Sequence, residues 1–356
     1  PVEVGCFSLD AERRFHADAR QLRYYAPPKG GATRVEFDLR DGYSDRYVQR
    51  DDNVKERLDH VLRWILPNRY KFALAGSWCL HTDVVTWRGH LTKVACTPYE
   101  RHEGWLMAVT LLAGTRYMSE METEEARRQR GTRDARQREM TYWGYKFEQY
   151  LCAETPGGIP DPGGVVNTNE AFCTVVRTRL KSHSLVFAGE VDCLSWQRPQ
   201  QQHSSNYVEL KTSRELYTPN QRRNLHRFKL IKWWAQSFLV GVPKIVAGFR
   251  DDEGVVRRLQ TFETLHIPKM VADDQEAWNG SVCLNFVEAF LTFMKKVVTK
   301  DDPKTVYLFS WEPGRDVTYS VHPDSELAFL PDWYVSEMTG ASGDRPSPSC
   351  SPKPRA

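Results

Sequence analysis

The chain has 356 residues, of which 40% are hydrophobic and 12% aromatic, and its formal net charge is only +3. This much apolar material can build a sizeable core without disulfide or metal cross-links. The small net charge excludes a protein that coats nucleic acid through an overall basic surface. Any basic surface must therefore be local.

The sequence also limits the cellular compartments in which we expect the protein to act. No uninterrupted apolar run reaches the ~18 to 20 residues of a transmembrane helix, and no secretory signal is visible, so we expect no membrane partner. The eight cysteines form no CxxC pair and have no metal-type spacing. That pattern predicts buried, reduced thiols and favours the nucleus or the cytosol. The chain begins with Pro, which leaves the role of any preceding segment open.

Composition along the chain predicts one catalytic domain over residues 1–340. Residues 341–356 are rich in Pro and Ser and almost free of aliphatic side chains. Burial therefore cannot offset the entropy of ordering them, and we interpret them as a disordered tail. A monomer is the default expectation.

In the first half of the chain, helical spacing of apolar residues predicts an amphipathic helix over 54–65 that Pro67 ends. Residues 83–96 and 105–118 are rich in β-branched and aromatic side chains and predict strands, with a turn between them. Residues 120–150 consist mostly of good helix formers. They predict one long helix or two, with a break at Gly131.

The second half alternates strands and helices. A loop rich in Gly and Pro precedes three predicted strands, at 171–180, 184–194 and 206–213. A helix from about residue 220 should close at Gly241, and it is followed by two strands and a helix over 282–298. The pattern predicts an α/β (α+β mixed) chain with central mixed β-sheets flanked by helices.

Acidic residues fall inside two of the apolar strands. Glu190 and Asp192 alternate in one strand and share a face, and Glu209 and Lys211 do the same in the other, seventeen residues after Asp192. If the two strands pair as a hairpin, three carboxylates and an amine converge. Gathered carboxylates repel one another unless a cation lies between them, and Mg²⁺ or Mn²⁺ suits an oxygen-only ligand set. The alternative is a solvated strand edge, which the apolar context disfavours because buried charge is costly.

Three further features are weaker when taken alone. Glu148 lies one helical turn after Gly144, which leaves bare backbone where another group can approach. Arg88, in an apolar segment predicted as a strand, has the forked donor geometry that binds phosphate. Gln236 is a polar residue in an apolar helix. Each also has an ordinary structural interpretation, as a surface or a satisfied, partly buried residue.

The spacing of an Asp and a Glu-x-Lys resembles the signature of restriction-endonuclease-like, or PD-(D/E)XK, nucleases. Six segments in order further resemble the decapping exoribonuclease (DXO) family, most closely its mammalian members. These segments are WRGH (87–90), GYKFE (144–148), GEVDCL (189–194), VELKT (208–212), KWWAQSFLVGVP (232–243) and IVAGFRDDEG (245–254).

The resemblance implies roles for individual positions. Glu148, Glu190, Asp192 and Glu209, with the main-chain carbonyl of Leu210, would bind two divalent ions, either Mg²⁺ or Mn²⁺. The same resemblance makes Glu190, Asp192, Glu209, Lys211 and Gln236 the catalytic group. Arg88, Glu148, Lys211 and Gln236 would contact the substrate.

The resemblance also implies an activity, which is hydrolysis at RNA 5′ ends. The family removes incomplete or unmethylated caps, pyrophosphate from 5′-triphosphate ends and NAD-type caps, then degrades 5′-monophosphate RNA in the 5′ to 3′ direction. It implies a nuclear location, with the cytoplasm as a second one. Two alternatives stay open: a DNA exonuclease of the same fold, and a non-catalytic partner that stabilises another exoribonuclease. Six arginines between 127 and 138 could line an RNA channel, although a solvated helix is the favoured interpretation.

Overall fold

The computed structural model describes residues 1–73, 77, 79–196 and 206–340. The predicted tail at 341–356 lies outside the described residues. Within them the strands are β1 (Val2–Leu9), β2 (Phe15–His16), β3 (Tyr24–Tyr25), β4 (Arg34–Asp38), β5 (Tyr47–Val48), β6 (Val84–Trp87), β7 (Trp105–Leu112), β8 (Thr115–Met121), β9 (Cys152–Ala153), β10 (Val166–Asn167), β11 (Ala171–Leu180), β12 (His183–Glu190), β13 (Cys193–Leu194), β14 (Tyr207–Arg214), β15 (Lys244–Arg250), β16 (Val255–Glu263), β17 (Val306–Trp311) and β18 (Thr318–His322).

The α-helices of the described residues pack on these strands, and none of them is long and apolar enough to cross a membrane. They are α1 (Asp59–Asn68), α2 (Arg88–Cys96), α3 (Glu124–Gly131), α4 (Ala135–Leu151), α5 (Pro219–Asn224), α6 (Leu230–Val240), α7 (Ile267–Val271), α8 (Gly280–Val297) and α9 (Asp332–Thr339).

Two large mixed sheets organise the molecule, as the sequence predicts. The nine-stranded sheet has the order β18-β17-β7-β8-β6-β12-β11-β1-β2, and the seven-stranded sheet has the order β4-β16-β15-β14-β13-β3-β9. Strands β12 and β6 are parallel, as are β14 and β15, whereas β11 and β12 are antiparallel. The chain passes from the first sheet to the second between β12 and β13. This crossing places the ends of strands from both sheets beside each other.

Several of the predicted boundaries are wrong. The strand predicted over 105–118 is β7 and the start of β8, which pair antiparallel. The first helix begins at Asp59 rather than at residue 54, and Pro67 lies inside its last turn instead of ending it. The strand predicted over 83–96 ends at Trp87, and helix α2 begins at Arg88. Its buried residues Leu91, Val94 and Ala95 have helical spacing, so packing of this apolar face favours a helix.

Local sequence explains how the helices near the acids begin and end. The predicted break at Gly131 is confirmed, because α3 ends there and α4 starts with a capping box between Asp134 and Gln137. The helix predicted from about 220 begins with Pro219, includes a π-helical turn at Leu225–Lys229, and ends at Gly241. Gly241 has φ 75°, a left-handed conformation that favours glycine.

The cysteines largely match the expectation of reduced thiols. Six of them are free thiols, and Cys96, Cys173, Cys193 and Cys283 among them are buried. The expectation is wrong at Cys79, which is disulfide-bonded.

Candidate nuclease site

Four carboxylates approach one another where the two sheets meet. Glu190 ends β12, Asp192 follows two residues later in the crossing between the sheets, and Glu209 lies on β14. Glu148 comes from the last turn of α4, which packs on β14. The predicted hairpin is wrong for most of its length, because β12 and β14 belong to different sheets. Within the segment 184–194 that was predicted as one strand, only the short β13 pairs with β14. The acids nevertheless converge, through the crossing rather than through a hairpin.

Burial and the charges of neighbouring acids shift the pKa values of two of these groups. Burial, followed by the negative charge of Asp192, raises the pKa of Glu148 well above its ordinary value. Burial and the charge of Glu209 do the same to the pKa of Asp192. The protein therefore holds acids where ionisation is unfavourable in the absence of a counter-charge.

Hydrogen bonds fix part of the cluster. The main-chain N–H of Leu210 donates to Oδ2 of Asp192 at 2.7 Å, which ties the crossing to β14. Lys211 Nζ donates to Oε1 of Gln236 at 2.5 Å and lies 3.1 Å from Oε1 of Glu209. Because an ammonium has three donors, one remains for another group. The structure thus joins Lys211 on β14 to Gln236 on α6, two residues that are far apart in sequence.

Arg88 is held at the first position of α2 rather than within a strand, and it is only 6% exposed. Its Nη2 donates to the main-chain oxygen of Glu190 at 3.1 Å. Its buried Nε and Nη1 have no hydrogen-bond partner among the described residues. Two buried donors without acceptors are costly unless an anion accepts from them.

All of these side chains face one open cavity of about 980 Å³, which also includes Leu210 in its wall. Arg127 and Arg130 of α3 lie at this cavity too, and α3 has no buried residue, which matches the expectation of a solvated Arg-rich helix. A second cavity of about 570 Å³ lies on the other side of the acids and shares Glu148, Glu190 and Asp192 with the first.

The donor set fits divalent cations, although the acids do not yet enclose one. Among the described residues, no three Asp, Glu, His or Cys side chains form a ready-made coordination shell. Repulsion keeps metal-free carboxylates apart, and Glu209 is paired with Lys211. Four carboxylates with oxygen ligands only would balance two hard dications.

Two parts of the cavity wall were absent from the sequence prediction. Tyr145 lines both cavities, and its place in the GYKFE segment, three residues before Glu148, was a usable signal. Arg13, Arg50 and Glu56 form an ion-paired group on the opposite wall, with Glu56 Oε1 at 3.0 and 2.8 Å from the two guanidinium groups. Arg13 is distant in sequence from both Arg50 and Glu56, so no local pattern identifies the group.

A mixed α/β fold whose strand ends bring together an Asp and a Glu-x-Lys beside a large open cavity defines a nuclease of the PD-(D/E)XK class. The family model described as RAI1 like PD-(D/E)XK nuclease matches residues 1–335. The chain therefore belongs to the RAI1-like PD-(D/E)XK nuclease family, and the resemblance drawn from the six segments is confirmed.

Relatives and a solved structure agree with this assignment. The chain is 57% identical to the decapping and exoribonuclease protein of Rattus norvegicus, with all of this chain and 88% of the relative covered. It is 56% identical to the Homo sapiens protein of the same name, with all of this chain and 89% of the relative covered. The crystal structure of Candida albicans Rai1 in complex with pU5-Mn²⁺ has a TM-score of 0.82 to this chain at 24% identity, with 95% of each chain covered. At that identity the likeness establishes the shared fold.

Proposed function

We propose that this protein is a divalent-metal-dependent hydrolase of RNA 5′ ends. It removes incomplete caps, pyrophosphate from triphosphate ends and NAD-type caps, and then degrades 5′-monophosphate RNA in the 5′ to 3′ direction. The observation that carries the proposal is the acid cluster of Glu148, Glu190, Asp192 and Glu209 beside the unpartnered donors of Arg88. Relatives named decapping and exoribonuclease protein support the choice of substrate.

Each side chain has a distinct part in this proposal. The four carboxylates and the carbonyl of Leu210 hold two Mg²⁺ or Mn²⁺ ions. The chemistry that such ions supply is charge neutralisation at phosphorus and activation of water. Lys211, oriented by Gln236 and Glu209, directs its remaining donor to the attacking water beside the scissile phosphate. Gln236 and Glu148 complete the contacts to the substrate.

Arg88 binds the phosphate next to the reacting bond. Its guanidinium is already fixed by the main-chain oxygen of Glu190, so little side-chain entropy is lost when Nε and Nη1 donate to an anion. Gly189 makes room for it, because a Cβ at that position would lie 3.0 Å from the guanidinium carbon. The site therefore recognises phosphate geometry and not the group attached to the phosphate.

That property explains how one centre serves several bonds. A centre that recognises phosphorus and its oxygens needs little from the leaving group. The bond cut then depends on how far the 5′ end enters the cavity past the acids. We further propose that the protein acts as a monomer in the nucleus, with the cytoplasm as a second location.

The decisive experiment uses purified protein with end-labelled RNAs that carry a 5′-monophosphate, a triphosphate, an unmethylated cap or an NAD cap. Each RNA is incubated with Mg²⁺, with Mn²⁺ and with EDTA. We expect a shortened or decapped product in the metal lanes and intact RNA in EDTA. Intact RNA in all metal lanes would refute the proposal, and single-stranded DNA cut as fast as RNA would indicate the same fold with another substrate.

A double variant tests whether one centre performs all of these reactions. Glu190→Ala with Asp192→Ala should abolish every activity together, because both carboxylates belong to the one cluster. The matched control is Glu312→Ala with Asp316→Ala, which removes two exposed acids from the turn between β17 and β18. Survival of decapping alone in the first double variant would show that two sites exist. Full activity of that variant would show that this cluster is not the catalytic centre.

A further inference from the structure

A small basic pocket is built from the same strand and helix, β14 and α4, that contribute to the cavity at the acid cluster. It has a volume of about 300 Å³ and is lined by Arg136, Met140, Arg214, Arg250 and Asp252. Three guanidinium groups thus share a small space with one carboxylate. That carboxylate is already paired, because Asp252 Oδ1 lies 2.9 Å from Nε of Arg214.

The other two arginines lack an acidic partner. Arg136 donates to the main-chain oxygen of Asp252 at 2.8 Å, and Arg250 donates to that of Asp251 at 3.2 Å. Neither has a carboxylate within ion-pair distance among the described residues. Gathering cations in this way is unfavourable, and burial together with the charges of Arg136 and Arg214 lowers the pKa of Arg250. An anion in the pocket would remove this cost.

The pocket is also rigid. Arg250 is 9% exposed, and its guanidinium carbon lies 4.7 Å from the ring centroid of Trp143. Arg136 lies 5.6 Å from the same centroid. Because two cations share one buried ring, their positions are set before any ligand arrives, which lowers the entropy cost of binding.

The position of the basic pocket in the fold indicates which anion it binds. On β14, Thr212 lines the catalytic cavity and Arg214 lines the basic pocket, and the two share a strand face about 7 Å apart. On α4, Gly144 lines the catalytic cavity and Met140 lines the basic pocket, and the two residues are one helical turn apart. A Cβ at Gly144 would meet nothing within 4 Å, so the surface of α4 between the catalytic cavity and the basic pocket is open at this residue.

We infer that the Arg136–Arg214–Arg250 pocket binds a backbone phosphate of the RNA strand downstream of the 5′ end that reacts at the acid cluster. The inference rests on the proposed function. A strand whose 5′ end lies at Glu148 can continue past Gly144 and Met140 and reach the pocket within a few nucleotides. The pocket reads charge and no base, so its contribution is to affinity for long strands of any sequence.

The test compares substrates by length. Arg136→Gln and Arg214→Gln each remove one exposed cation, whereas Arg250 is left intact because it is buried against Trp143. Arg315→Gln is the matched control, since Arg315 is an exposed, ion-paired arginine in the turn after β17. Melting temperatures establish that each variant folds. KM is measured in Mn²⁺ for 5′-monophosphate oligouridylates that are either dinucleotides or dodecanucleotides.

We expect each pocket variant to raise KM for the dodecanucleotide roughly three- to tenfold and to leave the dinucleotide unchanged. Binding of the labelled dodecanucleotide in EDTA, followed by fluorescence anisotropy, should weaken in parallel. Its salt slope should fall by about 0.7 for each phosphate that the protein no longer neutralises. Arg315→Gln should match the parent at both lengths.

Two results would overturn the inference. Equal losses on both substrates would mean that the arginines act on the catalytic centre through α4, and unchanged values on both would mean that RNA does not reach the pocket. Failure of the proposed function has a different signature, because the parent itself would then leave every RNA intact and this inference would fall with it.

Discussion

Glu148→Gln tests whether the acid cluster is built for cations at the expense of stability. The substitution removes one charge and preserves the shape of the side chain. Because burial and Asp192 raise the pKa of Glu148, its ionised form destabilises the metal-free fold. Each unit of raised pKa corresponds to ~1.4 kcal/mol. With ~2.1 cal/mol/K of unfolding entropy per residue over 356 residues, or ~0.75 kcal/mol/K, this is about 1.8 °C of melting temperature per unit.

The difference in melting temperature between the variant and the parent should change sign when metal is added. At one hundred times its Kd, one bound ion stabilises the parent by ~2.7 kcal/mol, which is about 3.6 °C on the same scale. The variant, with one ligand fewer, should gain less. Scanning calorimetry at pH 8 should therefore rank the variant above the parent in EDTA and at or below it in Mg²⁺ or Mn²⁺. The control is Glu263→Gln, an exposed acid on β16. A parent that melts above the variant in EDTA, or a metal shift identical in both, would refute this reasoning.

Three further variants probe the support of the site. Arg88→Ala should raise KM for 5′-monophosphate RNA with little change in melting temperature, and a large loss of melting temperature would instead indicate a structural role. Lys146 is fully buried and donates to the main-chain oxygen of Pro162, so Lys146→Met should cost about 1–3 kcal/mol, or roughly 1–4 °C by calorimetry; an unchanged melting temperature would contradict this. Gly248→Ala would place a Cβ 2.5 Å from the ring of Phe147, so it should displace α4 and reduce both activity and stability, the latter by about 1–3 kcal/mol; full activity would show that the position of α4 tolerates the change.

The sequence predicted the chemical groups of the site better than their arrangement. Alternation in apolar strands identified Glu190, Asp192 and Glu209, because charge in such strands needs a physical reason. It could not distinguish a hairpin from a crossing between sheets. That choice depends on the pairing of β13, which is only two residues long, with both β14 and β3.

The segment around Arg88 shows a different limit of predicting structure from sequence. An apolar run with β-branched residues predicted a strand through position 96, yet the spacing of Leu91, Val94 and Ala95 already had a helical period. The two signals overlap at Trp87, which is extended and serves as the N-cap of α2. The structure places Arg88 at the cavity with two unpartnered donors, and its role as a phosphate donor stays a prediction. Its orientation follows from this strand-to-helix change, which a single pattern applied to the whole segment conceals.

The geometry of the acids depends on the hydrogen bonds that connect the two sheets. Glu3 on β1 accepts hydrogen bonds from Thr174 Oγ1 at 2.6 Å and from the hydroxyl of Tyr207 at 2.7 Å, which links the larger sheet to β14. Thr174 pairs with Gly189, the residue before Glu190, and Tyr207 lies two residues before Glu209. Buried hydrogen bonds of this kind lose more when one partner is removed than they gain when formed, so they hold the two strand ends in register. The site assembled across two sheets therefore depends on a polar link through Glu3, which is far from the four acids in sequence and has no signature in the acid motifs themselves.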